Sequence, residues 1–233
     1  MSTLTGNERA GLARYTFSAG SGQMKPVLVN RYNAINRANE VIAGIEASGK
    51  MNDANEGSDF KALYGEALAC RAWAFFDILR FYGDCPMPLT PSKTGDDFNI
   101  GRVDRDIVYD QILGDLQQAA DLVPWQSEVA YRDRITKAGI YGFIARIALH
   151  AAGYSLRWDL ETFDPGSLRL ARRNDEARIK ALYEMARDAC DAIMSKGEND
   201  LLSDYGEVFK HVHNKEYDVE TILQLGNYGS TAN

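Results

Sequence analysis

Cysteine is scarce in this chain: Cys70, Cys85 and Cys190 are the whole complement among 233 residues. The number is odd and no two form a CxxC pair, so they make neither a disulfide framework nor a zinc ribbon. Cys70 and Cys190 fall on helical patterns and are expected as small buried apolar residues. Histidine is as rare. His211 and His213 stand two apart, and imidazoles so spaced converge on one ion only from an extended segment with a third ligand. No metal is assigned to them, and His150, on an apolar helix, is expected to be structural. Runs of Lys and Arg are absent, and the net charge is -7 with a pI of about 5.1. A phosphate backbone needs a basic face, so nucleic acid is excluded as a partner. The start, Met1 to Glu8, lacks the charged and apolar regions of a signal peptide. The end, Leu225 to Asn233, stops without a cap, and both ends read as cut.

Catalytic signatures are missing too. GxSxG, HExxH and GxGxxG do not occur. Gly44 to Lys50 has phosphate-loop spacing, but Met51 stands where a hydroxyl should hold magnesium, and the stretch closes a helix instead of opening one. It reads as a helix C-cap, and no cofactor is assigned. Carboxylates are plentiful, yet a glycosidase needs two of them about 5–10 Å apart across a cleft, which sequence cannot pick out.

What is present is helical pattern around one stretch, Glu66 to Pro88. Ser58 is the expected cap of its helix, and Asp59 suits the positive end of the helix dipole. Gly83 fits a left-handed exit, and Pro86 and Pro88 forbid continuation. Leu63, Ala67, Cys70, Trp73, Phe75, Phe76, Ile78, Leu79 and Phe81 surround the helix. An all-round apolar helix is covered by other helices or by lipid. Arg71, Asp77 and Arg80 interrupt it too often for a membrane span of roughly 20 apolar residues. It is therefore expected at the centre of a helical core with Trp73 buried. Arg71 then needs a partner on another helix, for which Glu40 is the candidate.

Four further helices follow from periodicity. One starts at Pro26 and ends near Ser48-Gly49; one starts after Asp104 and stops at Pro124. A third starts after Thr136, with small Gly139, Gly142 and Ala145 where a neighbouring helix could approach. The last runs from Asp175 to Lys196-Gly197. Residues 1–25 read as loop or ragged end, 26–197 as the helical core and 198–233 as a weakly structured tail. In that tail Tyr205 to His213 suggests a short helix and Thr221 to Leu225 an extended piece. Ala38-Asn-Glu-Val-Ile42, Ala119-Ala-Asp-Leu-Val123 and Ala189-Cys-Asp-Ala-Ile193 recur roughly 70–80 residues apart, near two tetratricopeptide units. The expected fold is one all-α domain of stacked antiparallel helix pairs with long loops.

The loops 89–103, 125–135 and 155–173 carry Phe98, Trp125, Tyr131, Trp158 and Phe163, and Tyr154 precedes the last. Scaffolds hold binding residues on loops, and sugars stack on aromatic faces. The candidate ligand-binding residues are Trp158 with its neighbour Arg157, Trp125 and Tyr131; the alternative is that these aromatics only pin loops to helices. No catalytic residue is assigned.

Arg37-Ala-Asn39, Glu66-Ala-Leu-Ala-Cys-Arg-Ala72 and Phe81-Tyr-Gly-Asp-Cys-Pro86 resemble the SusD/RagB family, as do Asp104 to Ala119, Thr136-Lys-Ala138, Ala145 to Leu149 and Ala152 to Leu156. The pieces come in that family's order over roughly residues 28–225, and the ordered set carries the likeness. The resemblance implies an all-helical, tetratricopeptide-like fold and a surface-exposed outer-membrane lipoprotein that binds glycans or other nutrients. It implies a TonB-dependent (SusC-like) transporter as partner, over which the protein closes as a lid, and no enzymatic activity or cofactor. The family's signal peptide and lipid-bearing cysteine are not in this chain, and the family's chains are longer, so an N-terminal-half fragment is implied. The competing expectation, from helix-pair spacing alone, is a cytoplasmic tetratricopeptide-like adaptor that holds a peptide.

Overall fold

The structure is a computed structural model, and it describes residues 8–16, 18, 21–130, 134–214 and 216–224. Helices α1 (Glu8–Ala13), α2 (Lys25–Ser48), α3 (Gly57–Tyr82), α4 (Arg105–Leu122) and α5 (Lys137–Ala152) come first. A hairpin of β1 (Ser155–Arg157) and β2 (Arg169–Ala171) follows, then α6 (Glu176–Lys196) and α7 (Tyr205–Asn214). Among the described residues no helix is long and apolar enough to cross a membrane.

Local chemistry sets most boundaries. Pro26 opens α2, and Gly49, at φ 66°, closes it. The phosphate-loop spacing is thus a helix C-cap followed by a turn of 3-10 helix, as expected. The Asp104 carboxylate accepts from the backbone N–H of Asp106 to cap α4, and Asp175 caps α6 by accepting from Arg178. Ser58 does not cap α3: it lies inside the helix, and Glu56 holds the cap position without a side-chain bond. Thr136 takes the cap position of α5, but its buried hydroxyl makes no such bond.

Side-chain contacts fix the helix directions. Tyr64 near the start of α3 bonds Glu46 near the end of α2, while Arg31 and Asp77 pair at 2.8 Å at their other ends. A Cβ on Gly65 would meet Val123, so the start of α3 lies beside the end of α4, and Asp84 beyond α3 holds Arg105 at the start of α4. Lys137 donates its backbone N–H to the Pro124 carbonyl, and Arg157 beyond α5 returns to Asp106. Helices α2 to α6 therefore alternate in direction, each packed on the next. That is the expected stack of antiparallel pairs.

The core runs through α3. Leu68, Ala69, Ala72, Phe75, Phe76 and Ile78 are almost fully buried, facing Ile35 of α2, Ile112 and Leu116 of α4, and Ile140 and Ile147 of α5. The all-round apolar expectation fails at the edges. Leu63 and Phe81 are exposed, as are Cys70 and Cys190, contrary to the expectation for those thiols. Trp73 is half-buried. It packs on Phe143 at 4.6 Å in an open apolar groove of about 650 Å³ between α3 and α5. Gly139 and Gly142 lie in that groove, and among the described residues no helix crosses them: a Cβ on Gly139 would meet Leu223 first, and one on Gly142 would meet no described atom within 4 Å.

Arg71 does find a partner on another helix, but it is Asp115 of α4, not Glu40. Its Nε and Nη2 donate to both Asp115 oxygens at 2.8 and 3.0 Å, and Nη1 donates to Asn39 at 3.0 Å. Glu40 lies on the exposed side of α2 and accepts from Asn36 instead. Asn39 in turn donates to the carbonyls of Pro88 and Thr90, which ties the chain beyond α3 across α2. The 155–173 connection holds the β1–β2 hairpin, with Leu156 opposite Leu170, a strand pair the sequence did not reveal. The short α1 is likewise unforeseen in 1–25, and α7 covers the expected short helix. The described part of 221–225 forms no strand.

Candidate functional site

Alternation of the helices gives the stack two ends, and the loops divide between them. Loop 83–104 and the hairpin loop 153–175 meet at one end. Loop 123–136 lies at the other, beside the end of α6.

At the hairpin end the backbone is locally determined. Asp159 accepts from the N–H of Glu161 and the hydroxyl of Thr162, and Asp164 accepts from the N–H of Gly166. These Asx turns shape the connection between the strands, and the Asp164 turn caps a short 3-10 helix, Pro165–Ser167. Phe163 at its tip takes φ 51°, a left-handed value unusual for a side chain of that size. Its ring meets Trp158 edge-on, with centroids 5.8 Å apart. The Arg102 guanidinium, from the other loop, lies 5.3 Å from the Trp158 ring and 5.7 Å from Phe163. Two loops separate in sequence are thereby joined through one aromatic–cation contact.

Trp158 forms part of the wall of an open cleft of about 710 Å³. Phe81, Tyr154 and Leu168 line it and are largely exposed, while Tyr109 is buried at its base. Burial pushes the Tyr109 hydroxyl up to about 12, so it stays a neutral donor at ordinary pH. Arg80 and His150 complete one side. The His150 ring packs edge-on against Phe76 at 5.0 Å, and desolvation, then the charges of Arg80 and Arg146, lower its pKa. The imidazole is therefore neutral at physiological pH. Flat apolar faces beside fixed hydrogen-bond donors match what a sugar ring offers: a C–H face and a rim of hydroxyls.

The sequence-based candidates fare differently. Trp158 is at the cleft. Arg157 is next to it, but its fork is engaged: Nη1 and Nη2 donate to both oxygens of Asp106 at 2.8 and 2.7 Å, and Nε donates to the Ala171 carbonyl. It anchors the hairpin to the start of α4 and faces a ligand with no free donor pair. Trp125 is at the opposite end, so it and Trp158 do not form one site. Its ring meets Tyr141 at 5.9 Å and lies under the ammonium groups of Lys137 and Lys196. Tyr131 lies outside the described residues. His211 and His213 sit on helical α7, and His211 bonds Asp218.

Arg80, Phe81 and Arg102 were missed as site residues. Phe81 looked like core because it continues the apolar run of α3, and Arg102 sits in a loop with no local pattern. The one sequence signal for Arg80 and Phe81 is closeness to Gly83-Asp84, where α3 leaves the core.

Comparison with known proteins places this architecture. Residues 18–149 match the family SusD-like_3, described as "Starch-binding associating with outer membrane". A SusD-like protein from Bacteroides ovatus is 27% identical over 194 residues, which is 83% of this chain and 31% of that protein. A SusD-like protein from Formosa agariphila is 26% identical over 52% of this chain and 23% of its own length. The crystal structure of a SusD homologue from Bacteroides thetaiotaomicron superposes with a TM-score of 0.75 at 19% identity, over 93% of this chain and 38% of the other. A further crystal structure, described only as with xylogluco-oligosaccharide, gives a TM-score of 0.65 at 21% identity, over 91% of this chain and 37% of the other. The matched region spans between 23% and 38% of the length of these relatives. On the family match, the ordered motifs and the stacked helix pairs, this chain belongs to the SusD-like family.

Proposed function

We propose that this chain is the helical part of a cell-surface protein that captures oligosaccharides, with its sugar site in the cleft around Trp158. The observation that carries this reading is the cleft itself. The last turn of α3, with Arg80 and exposed Phe81, and two loops, with Arg102, Tyr154 and Trp158, meet around one open space of about 710 Å³. The family's described role, starch binding at the outer membrane, is consistent with it. The protein acts by binding and carries out no chemistry. It sits at the outer membrane as a lipoprotein and delivers its cargo to a TonB-dependent, SusC-like transporter, over which it closes as a lid. In this reading Arg157 positions the hairpin that carries Trp158, and Trp125 plays no part in sugar contact.

Calorimetry against a panel of oligosaccharides tests the site, using the chain and its Trp158→Ala variant. At least one oligosaccharide should bind, and the variant should bind it ten-fold or more weakly, about 1.4 kcal/mol. Equal affinity for chain and variant would move the site elsewhere.

A further inference from the structure

The cleft around Trp158 is charged in a way the rest of the molecule is not. The chain carries a net charge of -7. Yet the cleft and the smaller pocket behind Trp158 are lined by seven arginines and only four aspartates. We propose that this site selects oligosaccharides bearing anionic groups, uronate carboxylates or sulfate esters, and that Arg102 and Arg169 read the charge. The proposal rests on the carbohydrate reading above and names its substrate class.

The argument is which charges are already engaged. Asp84 gives both oxygens to Arg105. Asp106 gives both to Arg157. Asp104 and Asp175 each accept a backbone N–H at a helix start. Asp84 and Asp106 are thus matched by their own arginines, while Asp104 and Asp175 each give one oxygen to a helix start and keep the other toward the pocket. Arg173 is engaged as well, by Asp110, which stands outside the cleft. The remaining arginines are held loosely or not at all. Arg80 reaches Asp77 only at 3.8 Å, and Asp77 is already bound by Arg31 at 2.8 Å. Arg172 pairs with an exposed Glu176. Arg102 and Arg169, both exposed, form no ion pair within 4 Å among the described residues; Arg169 acts on Asp159 only at longer range, as one of the smaller causes that lower that carboxyl's pKa.

Proteins balance such charges unless something else does. A guanidinium presents a planar fork that fits a carboxylate or sulfate bidentately. The Arg102 guanidinium lies 5.3 Å from the Trp158 ring, so a sugar bound beside that indole would bring its substituents within reach of the fork. At physiological salt the overall negative charge is screened beyond about 8 Å, and the arginines dominate at contact.

The test is calorimetry on matched pairs: a galacturonic acid oligosaccharide with its methyl-esterified counterpart, and a sulfated galactan oligosaccharide with its desulfated counterpart. The chain is compared with Arg102→Ala, Arg169→Ala and Arg102→Lys, each checked for an unchanged melt. At least one acidic member should bind ten-fold or more tightly than its neutral partner. That ratio should shrink in both alanine variants and with added salt, and survive in part in Arg102→Lys. Which pair shows the ratio tells carboxylate from sulfate. Equal binding of acidic and neutral members, lost in Trp158→Ala, would overturn charge selection and leave the carbohydrate reading intact. A ratio unchanged in both alanine variants would overturn the role of these arginines. Binding of no member, with a neutral oligosaccharide of the wider panel bound, would overturn charge selection alone; binding of nothing in either set would overturn the carbohydrate reading.

Discussion

Arg71 and Asp115 show how one buried charge organises its surroundings. Their side chains are 7% and 5% exposed, and Asn39, Gln111 and the Leu89 carbonyl satisfy what the pair leaves over. Breaking such a pair strands a charge in the core, at about 3–5 kcal/mol, whereas removing both charges is much less costly. Arg71→Met should therefore lower stability by about that amount, and Arg71→Met with Asp115→Leu should recover at least half of the loss. Denaturant midpoints with an unchanged slope would measure it. Asp84 and Asp110 act at the hairpin end. Burial alone would raise both carboxyls, but hydrogen bonds from Arg105, and from Arg173 and Arg178, outweigh it and hold them below the usual value of about 3.9. Their native pKa lies below the unfolded one. Their contribution is thus full above about pH 4–5 and is lost as pH falls through the native values. The thermal midpoint should be level from about pH 7 to 5 and drop below about 4, and Asp84→Asn should flatten part of the drop.

Among the elements, α3 was the most legible and also the most misleading. Its all-round apolar pattern marked the helix that the others cover, and Gly83, Pro86 and Pro88 marked its exit. The caps Asp104 and Asp175 and the stops at Gly49, Pro124 and Gly197 were readable because each is a local backbone event. Burial along α3 was less so, because apolar character does not say which face is covered last. Trp73 shows the difference. Phe75 is 0% exposed, whereas Trp73 opens onto the groove beside Phe143. Phe75→Ala should cost about 3–5 kcal/mol, and Trp73→Ala roughly half as much, because the groove already leaves part of its ring in water. Comparable losses in urea unfolding would mean that the groove is closed in solution. The hairpin was illegible for a different reason. Three-residue strands carry almost no period, and long-range pins such as Arg157 to Asp106 hold them in place. The same holds for the site: Arg102 and Trp158 meet only because two loops fold to the same end.

For the molecule as a whole, alternating helices sort the loops into two ends, and this decides which aromatics can act together. Phe81, Tyr154 and Trp158 share the hairpin end, while Trp125 is pinned between Tyr141, Lys137 and Lys196 at the other. The sequence named aromatics from both ends because spacing along a chain does not reveal which end of a helix a loop joins. The central claim is that sugar is bound at the hairpin end. The three tryptophans, Trp73, Trp125 and Trp158, allow a direct test. In the Trp73→Phe/Trp125→Phe protein Trp158 is the sole indole; in Trp73→Phe/Trp158→Phe it is Trp125. Each is titrated with an oligosaccharide that the unmodified chain binds, and indole emission is followed. The account predicts a saturable change from Trp158 at the chain's own affinity and none from Trp125. A saturable change from Trp125 with Trp158 silent would contradict it.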